Sequence, residues 1–304
     1  MKNYYLPGFL ENQHMYKIFL FFKEHHPECF YDNVNISKIY GIFPGCIWNG
    51  GSAWYGGGFT RSLIQDTFGW YKEKGVQLQL TCTNPILEER DMYDRLGNAI
   101  LEEACNFQNV EVLVSNDIME KHIRENYPTL PVDKSIIATT RDREILLPED
   151  YIKLADEYNM VVFPRKYSKD WEFLNQIPQD KRNKFEILCT DPCSIHCPRL
   201  YTHYEDLGKS QLFLPCENTL ECTSFHPNNP FKEKTYQKKY QISVEELAQY
   251  EEAGYSEFKI SGRIHLAMAI LRVVPYLIKP EYQLDIMLQM FDYVKEVDCP
   301  PDFS

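Results

Sequence analysis

No run in this chain approaches the ~20 consecutive apolar residues that a membrane-spanning helix needs. The one short apolar stretch near the start, 18–22, is broken by Lys23 and Glu24 and lacks a small-residue cleavage site. A secretory leader is therefore not expected. Basic charge is scarce: 32 Lys and Arg against 44 Asp and Glu give a net charge of −12. That balance argues against an extended nucleic-acid surface, which needs clustered cations to displace phosphate counterions. The HExxH helix and the GxSxG elbow are missing, as are the Walker A loop and GxGxxG. Fixed-period repeats and low-complexity tracts are absent too. The expected setting is the cytoplasm, away from membranes, where ten cysteines read as free thiols or metal ligands rather than a disulfide framework.

What is present is an alternation of strand-length and helix-length segments. Strands are predicted over 38–43, 76–82, 110–114, 135–138, 160–163, 185–188 and 257–260, with an eighth over 211–214. Helices are predicted over 9–26, 60–73, 88–105, 117–126, 148–158, 169–176, 243–253, 264–278 and 280–297. Ser243 and Glu246 have capping-box spacing, and Gly254 follows as a stop. Repeated strand–helix units imply right-handed crossovers and a parallel sheet. Seven or eight of them favour a closed α/β barrel of the (β/α)8 TIM type over an open doubly wound sheet. No linker divides residues 1–304, so a single barrel domain is expected, with an irregular Cys-rich segment, 189–240, inserted before the last strand.

A barrel turns strand ends into site predictions, because its active sites lie on the loops after the strand C-termini. Asn49 and Asn84 fall on two such loops. Arg141, Arg165 and Arg263 fall after three others, which suits a small anionic ligand at the mouth. Asn49, Asn84, Arg141 and Arg165 are the expected ligand contacts. Trp48, Trp54 and Tyr55 flank a glycine-rich loop and are candidates for stacking on a flat ligand. The loop 232–239 is locally basic and reads as exposed.

The densest chemistry is the set Cys189, Cys193, Cys197, Cys216 and Cys222, half of all the cysteines within one short stretch. Thiolates are soft ligands that favour iron–sulfur clusters or zinc. Three cysteines at four-residue spacing plus one distant cysteine supply a four-thiolate site, and Pro198 follows Cys197 as it does in some cluster loops. The paired C-x₂-C of zinc ribbons is missing, as is C-x₃-C-x₂-C, so iron–sulfur is favoured and zinc is the alternative. His196 and His203 are substitutes for the fourth thiolate. Cys29, Cys46, Cys82, Cys105 and Cys299 read as packing residues.

The segment Ala253-Gly254-Tyr255-Ser256-Glu257-Phe258-Lys259-Ile260-Ser261-Gly262-Arg263 resembles the "aGidsfKIEGR" strand of the peptidase U32 family, with Ser261 in place of the usual Glu. The cysteine-rich segment before it is similar in placement to that family's four-cysteine cluster, with different spacings. The resemblance covers roughly the last third of the chain. It implies a barrel, a [4Fe–4S] cluster on Cys189, Cys193, Cys197 and either Cys216 or Cys222, and Lys259 and Arg263 at the pocket. It implies oxygen-independent hydroxylase chemistry on a quinone precursor or RNA base rather than peptidase activity, and a heteromeric protein partner is conceivable from the family's paired members. Two other readings stand beside it: a non-catalytic, metal-stabilised scaffold or partner subunit, and a zinc hydrolase using His196 or His203.

Overall fold

In a computed structural model, which describes residues 1–51, 59–141, 146–190, 199–216, 241–261 and 266–298, eight parallel strands pair in chain order and close on themselves. They are β1 Lys2–Pro7, β2 Val34–Gly41, β3 Gln77–Cys82, β4 Val110–Val114, β5 Val132–Lys134, β6 Val161–Val162, β7 Phe185–Thr190 and β8 Glu257–Ile260. The ring is sealed where Asn3 and Tyr5 of β1 stand opposite Glu257 and Lys259 of β8. This is the (β/α)8 barrel that the alternation predicts.

Helices α1 Gln13–His25, α2 Arg61–Glu73, α3 Arg95–Ala104, α4 Asp117–Asn126, α5 Ile136–Arg141, α6 Pro148–Glu157 and α7 Trp171–Leu174 follow or precede successive strands. Beyond β7 come α8 Leu200–Gln211, α9 Leu247–Glu252, α10 Leu266–Leu277 and α11 Pro280–Asp298. Four of their starts, those of α2, α3, α4 and α7, are set by short polar side chains that accept otherwise orphaned N–H groups. Thr60 accepts from Leu63 N at 3.1 Å, Asp94 from Gly97 N at 2.7 Å and Asp170 from Phe173 N at 3.0 Å. Asn116 caps α4, accepting from Ile118 N and Met119 N. The Ser243–Glu246 box forms as expected, and Gly254 adopts φ of +90°, a left-handed turn natural to glycine.

One face of each strand packs on these helices. Tyr4, Leu6, Ile39, Leu78, Leu80, Val112, Val114, Phe185, Ile187 and Phe258 join Phe19, Phe68, Leu101, Met119, Tyr151 and Val273 in one hydrophobic cluster. Each such side chain contributes about 1.5–3 kcal/mol on burial. Among the described residues no helix is long and apolar enough to cross a membrane.

Three predicted elements are corrected. The eighth strand is not 211–214, which lies at the end of α8 and beyond it; it is Lys2–Pro7, at the very start of the chain. The strand expected over 135–138 is the beginning of α5, and the strand there is Val132–Lys134. The first helix begins at Gln13 rather than near residue 9, after the β1–α1 turn in which Gly8 takes φ of +78°.

Candidate functional site

The register around the ring, staggered by one residue per strand, defines which side chains share a height inside the barrel. Tyr5, Gln79, Asp133 and Glu186, from β1, β3, β5 and β7, form the central layer. Below it, toward the strand N-termini, lie Lys38, Glu111, Met160 and Glu257. Above it, toward the mouth, lie Tyr40, Leu113, Val162 and Lys259. Three layers of four, drawn from alternate strands, are the usual filling of such a barrel, but that filling is normally Val, Ile and Leu. Here seven of the twelve positions carry an ionisable side chain other than tyrosine or an amide.

Buried charge is tolerated only when it is paired and hydrogen-bonded, and this lumen is wired throughout. Lys259 Nζ lies 2.8 Å from Glu186 Oε2 and donates to Gln79 Oε1 at 3.1 Å. Gln79 Nε2 in turn donates to Glu186 Oε1 at 3.0 Å, Asp133 Oδ2 at 2.6 Å and Glu111 Oε1 at 3.3 Å. Lys38 Nζ pairs with Glu111 and stands 3.5 Å from Asp133 Oδ2. The rings of Tyr5 and Tyr40 each sit 4.4 Å from a lysine nitrogen, Lys38 and Lys259 respectively, a favourable cation–π placement. Burial works against the Lys38 ammonium, but Asp133, Glu111 and Glu186 outweigh it and hold its pKa above the ordinary lysine value. Burial first, then the neighbouring Asp133, pushes the Glu111 carboxyl well up. For Asp133 burial is outweighed by Lys38 and by hydrogen bonds from Glu111, Gln79 and Asn159, so its carboxyl is held below its usual value.

Above the upper layer the mouth is rimmed by hydroxyls and amides. Tyr40 Oη donates to Ile260 O at 2.8 Å, Thr190 and Ser261 hydroxyls meet at 3.1 Å, and Thr81 Oγ1 donates to Asn49 Oδ1 at 3.2 Å. Helix α8 follows β7 in the chain yet docks on the loops after β2 and β3. Its Gln211 Nε2 donates to Cys46 O at 2.9 Å, and a Cβ on Gly208 would collide with Asn84 Oδ1. It also touches α5, the helix after β5. Because those loops and α5 belong to the strand C-termini, α8 lies over the C-terminal face of the barrel. Tyr201 and Glu205 of α8 line a cleft of about 270 Å³ with Pro85, Ile86, Leu87 and Asn116.

The expected ligand contacts fare differently. Lys259 points into the lumen just below the mouth, almost fully buried. Asn84 is committed to structure: its Nδ2 donates to Ile47 O and Gly208 O at 3.0 and 3.2 Å, and its Oδ1 accepts from Ile86 N. It clamps α8 rather than presenting an amide to a ligand. Asn49 is buried against Thr81. Arg165 is half-buried on the turn after β6. Arg141 ends α5, while Arg263 lies outside the described residues. Trp48 does not stack in the mouth; it is fully buried, its Nε1 donates to Asp91 O at 2.8 Å, and its ring fills the space left by Gly97. Trp54 and Tyr55 lie outside the described residues.

Of the five clustered cysteines, Cys193, Cys197 and Cys222 lie outside the described residues. Cys189 is the penultimate residue of β7, where the register with β8 shifts, and it lies beside Tyr4, Tyr250 and Tyr276 on the outer face. There it joins the hydrophobic cluster, with Sγ directed at Ile187 O at 3.7 Å. Burial pushes its thiol pKa up, which favours the neutral form over the thiolate that a metal needs. Cys189 thus lies in the outer hydrophobic cluster and not in the lumen. Cys216 is exposed just beyond α8. Cys46 and Cys82 are buried packing thiols, whereas Cys105, expected in a core, is exposed. His203, on α8, is half-buried, and desolvation lowers its pKa and favours neutral imidazole. Among the described residues no three His, Cys, Asp or Glu side chains converge on a common metal position.

Sequence reasoning missed Lys38, Gln79, Glu111, Asp133 and Glu186. A signal was there: V-E-V, F-E-I and F-K-I place a charge between apolar residues inside strands that a buried parallel sheet would make continuously apolar.

No family model matches the chain, and no curated protein does either. Among solved structures the chain is similar to the U32 peptidase Mk0906, with a TM-score of 0.50 and 13% identity, over 86% of this chain and 94% of that one. A truncated 3-deoxy-D-arabino-heptulosonate 7-phosphate synthase from Thermotoga maritima aligns over 90% of this chain and 95% of that one at 11% identity. Its TM-score of 0.22 carries no argument. The likeness to the U32 peptidase is a shared fold.

Proposed function

We propose that this chain is a U32-like iron–sulfur protein of the oxygen-independent hydroxylase type rather than a peptidase, acting on a small anionic molecule or an RNA base at the barrel mouth. The observation that carries the reading is the position of Lys259. The strand bearing the U32-like motif sends this lysine into the upper lumen layer, directly beneath the rim, paired with Glu186 at 2.8 Å. A fixed ammonium there offers an anionic ligand a floor, with Tyr40, Thr190 and Ser261 hydroxyls around it and Arg263 following in sequence. The cluster would be held by Cys193, Cys197, Cys216 and Cys222. Cys189 drops out on its outward orientation, and four thiols remain for a four-thiolate centre. When bound, such a cluster supplies one-electron chemistry; the chain's own lumen groups bind and orient.

A metal-stabilised scaffold without catalysis is the second reading, favoured by the mutual saturation of Lys259, Gln79 and Glu186.

Anaerobic purification with iron, sulfide and zinc analysis tests the proposal. Brown protein carrying about four irons, lost in Cys216→Ala and retained in Cys189→Ala, is expected for a four-thiolate cluster. Colourless protein with stoichiometric zinc, or iron lost only in Cys189→Ala, overturns it. Under the scaffold reading Arg263→Ala leaves all ligand binding unchanged.

A further inference from the structure

Between the central and lower layers of the lumen, two carboxyls share the same donors. Lys38 Nζ contacts both Glu111 and Asp133, and Gln79 Nε2 donates to both, at 3.3 and 2.6 Å. Asn159 Nδ2 also reaches both, at 3.3 Å to Glu111 Oε2 and 3.0 Å to Asp133 Oδ1. Three donors common to two acids hold their oxygens side by side, in a place that water does not reach: Asp133 is fully buried and Glu111 nearly so. Two carboxylates in such contact do not both ionise.

The charges facing the pair agree. Around it stand Tyr5 from β1, Lys38 and Tyr40 from β2, Gln79 from β3, Glu186 from β7, and Lys259 and Glu257 from β8; Met160 beside β6 brings no charge. The contact network holds two lysines against three acids, Glu111, Asp133 and Glu186. Glu257 is set apart from the lysines and takes hydrogen bonds from Asn3 at 2.8 Å and Ser256 at 2.6 Å. One proton on the pair leaves two ammoniums facing two carboxylates. Tyr5 does not supply the balance, since burial and the surrounding acids keep its hydroxyl protonated.

We infer that Glu111 and Asp133 form an acid dyad that keeps one shared proton inside the folded barrel at neutral pH, with Glu111 donating to Asp133. Folding then takes up a proton that the free carboxyls of the unfolded chain do not hold. Gln79 joins the dyad to Lys259 through one residue, so the stored proton sits one hydrogen-bonded side chain away from the group beneath the mouth.

A carboxyl that is protonated when folded and ionised when unfolded makes stability fall as pH rises above the unfolded carboxylate range, about 4. Glu111→Gln keeps the shape and the neutral charge without the proton. Relative to that variant, the unfolding constant of the unaltered chain should rise about tenfold per pH unit between roughly pH 5 and 7. Infrared spectra supply the second readout. At about pH 8, far above ordinary carboxyl values, the unaltered protein should show an un-ionised carboxyl stretch above the amide I band, absent from Glu111→Gln. Should that variant not fold, Asp133→Asn serves, because the remaining Glu111 ionises against Lys38 and the band again disappears. No such band in the unaltered protein, a band that survives in the folded variants, or unfolding curves of Glu111→Gln and its parent that run parallel with pH, overturns the dyad.

Discussion

Replacing Lys259 by Met tests whether the lumen is held by charge pairing. Met keeps most of the side-chain volume and fills irregular space, so the change is chiefly electrical. The ion pair it removes spans 2.8 Å, with Glu186 fully buried. At an effective dielectric of about 20, two unit charges this close attract by about 6 kcal/mol, much of which offsets their desolvation. What remains after the substitution is a buried carboxylate with Gln79 Nε2 as its lumen donor at 3.0 Å, and a Gln79 Oε1 that has lost the lysine. Breaking one side of such a pair costs about 3–5 kcal/mol. Equilibrium urea unfolding should show that loss as a lower midpoint with an unchanged slope. The double variant Lys259→Met with Glu186→Leu should recover most of it, giving a coupling of about 2–3 kcal/mol, since no orphaned charge is left. A loss below about 1 kcal/mol, the range of an exposed pair, would show that water reaches this layer and would refute the buried-pair argument.

Two further outcomes follow from the same geometry. Gly208→Ala puts a methyl against Asn84 Oδ1 and 3.1 Å from Ile86 Cγ1, so α8 should lift from the β2 and β3 loops at a cost of about 1–3 kcal/mol. Faster amide exchange confined to α8 checks this; because Ala favours a helix by about 1 kcal/mol over Gly, a more stable variant would contradict the packing. Asp133, whose carboxyl is held below its usual value, contributes stability that is present above the unfolded carboxylate range, about 4, and lost as pH falls from there through the lower folded value. Replacing both acids, Asp133→Asn with Glu111→Gln, should therefore flatten the acid arm of the stability curve measured by urea unfolding, and an unchanged acid arm would count against the pairing with Lys38.

The rhythm of strands and helices was readable because most strands have an apolar outward face and several helix starts carry a short polar cap; Ser243, Glu246 and Gly254 show it at residue level. β5 escaped notice because three residues, Val132–Lys134, two of them charged, leave almost no apolar run to detect. β1 escaped because Lys2–Pro7 mixes polar, aromatic and proline residues at a terminus, and its place is decided by Asn3 and Tyr5 finding β8 at the other end of the chain. Closure of a ring is a long-range event, invisible to local pattern.

By itself the sequence determined the barrel class, since period and capping are local properties that fix each unit before any packing occurs. It also concentrated five thiols in one connection, and through resemblance it pointed to Lys259. Only the tertiary structure decided what those residues face. Packing at an irregular end of β7 put Cys189 in the outer cluster, the one-residue stagger stacked Gln79, Asp133 and Glu186 in one layer, and α8 docked across the mouth on the β2 and β3 loops. Each of these depends on where a neighbouring strand stands, and that is set by the closed ring as a whole.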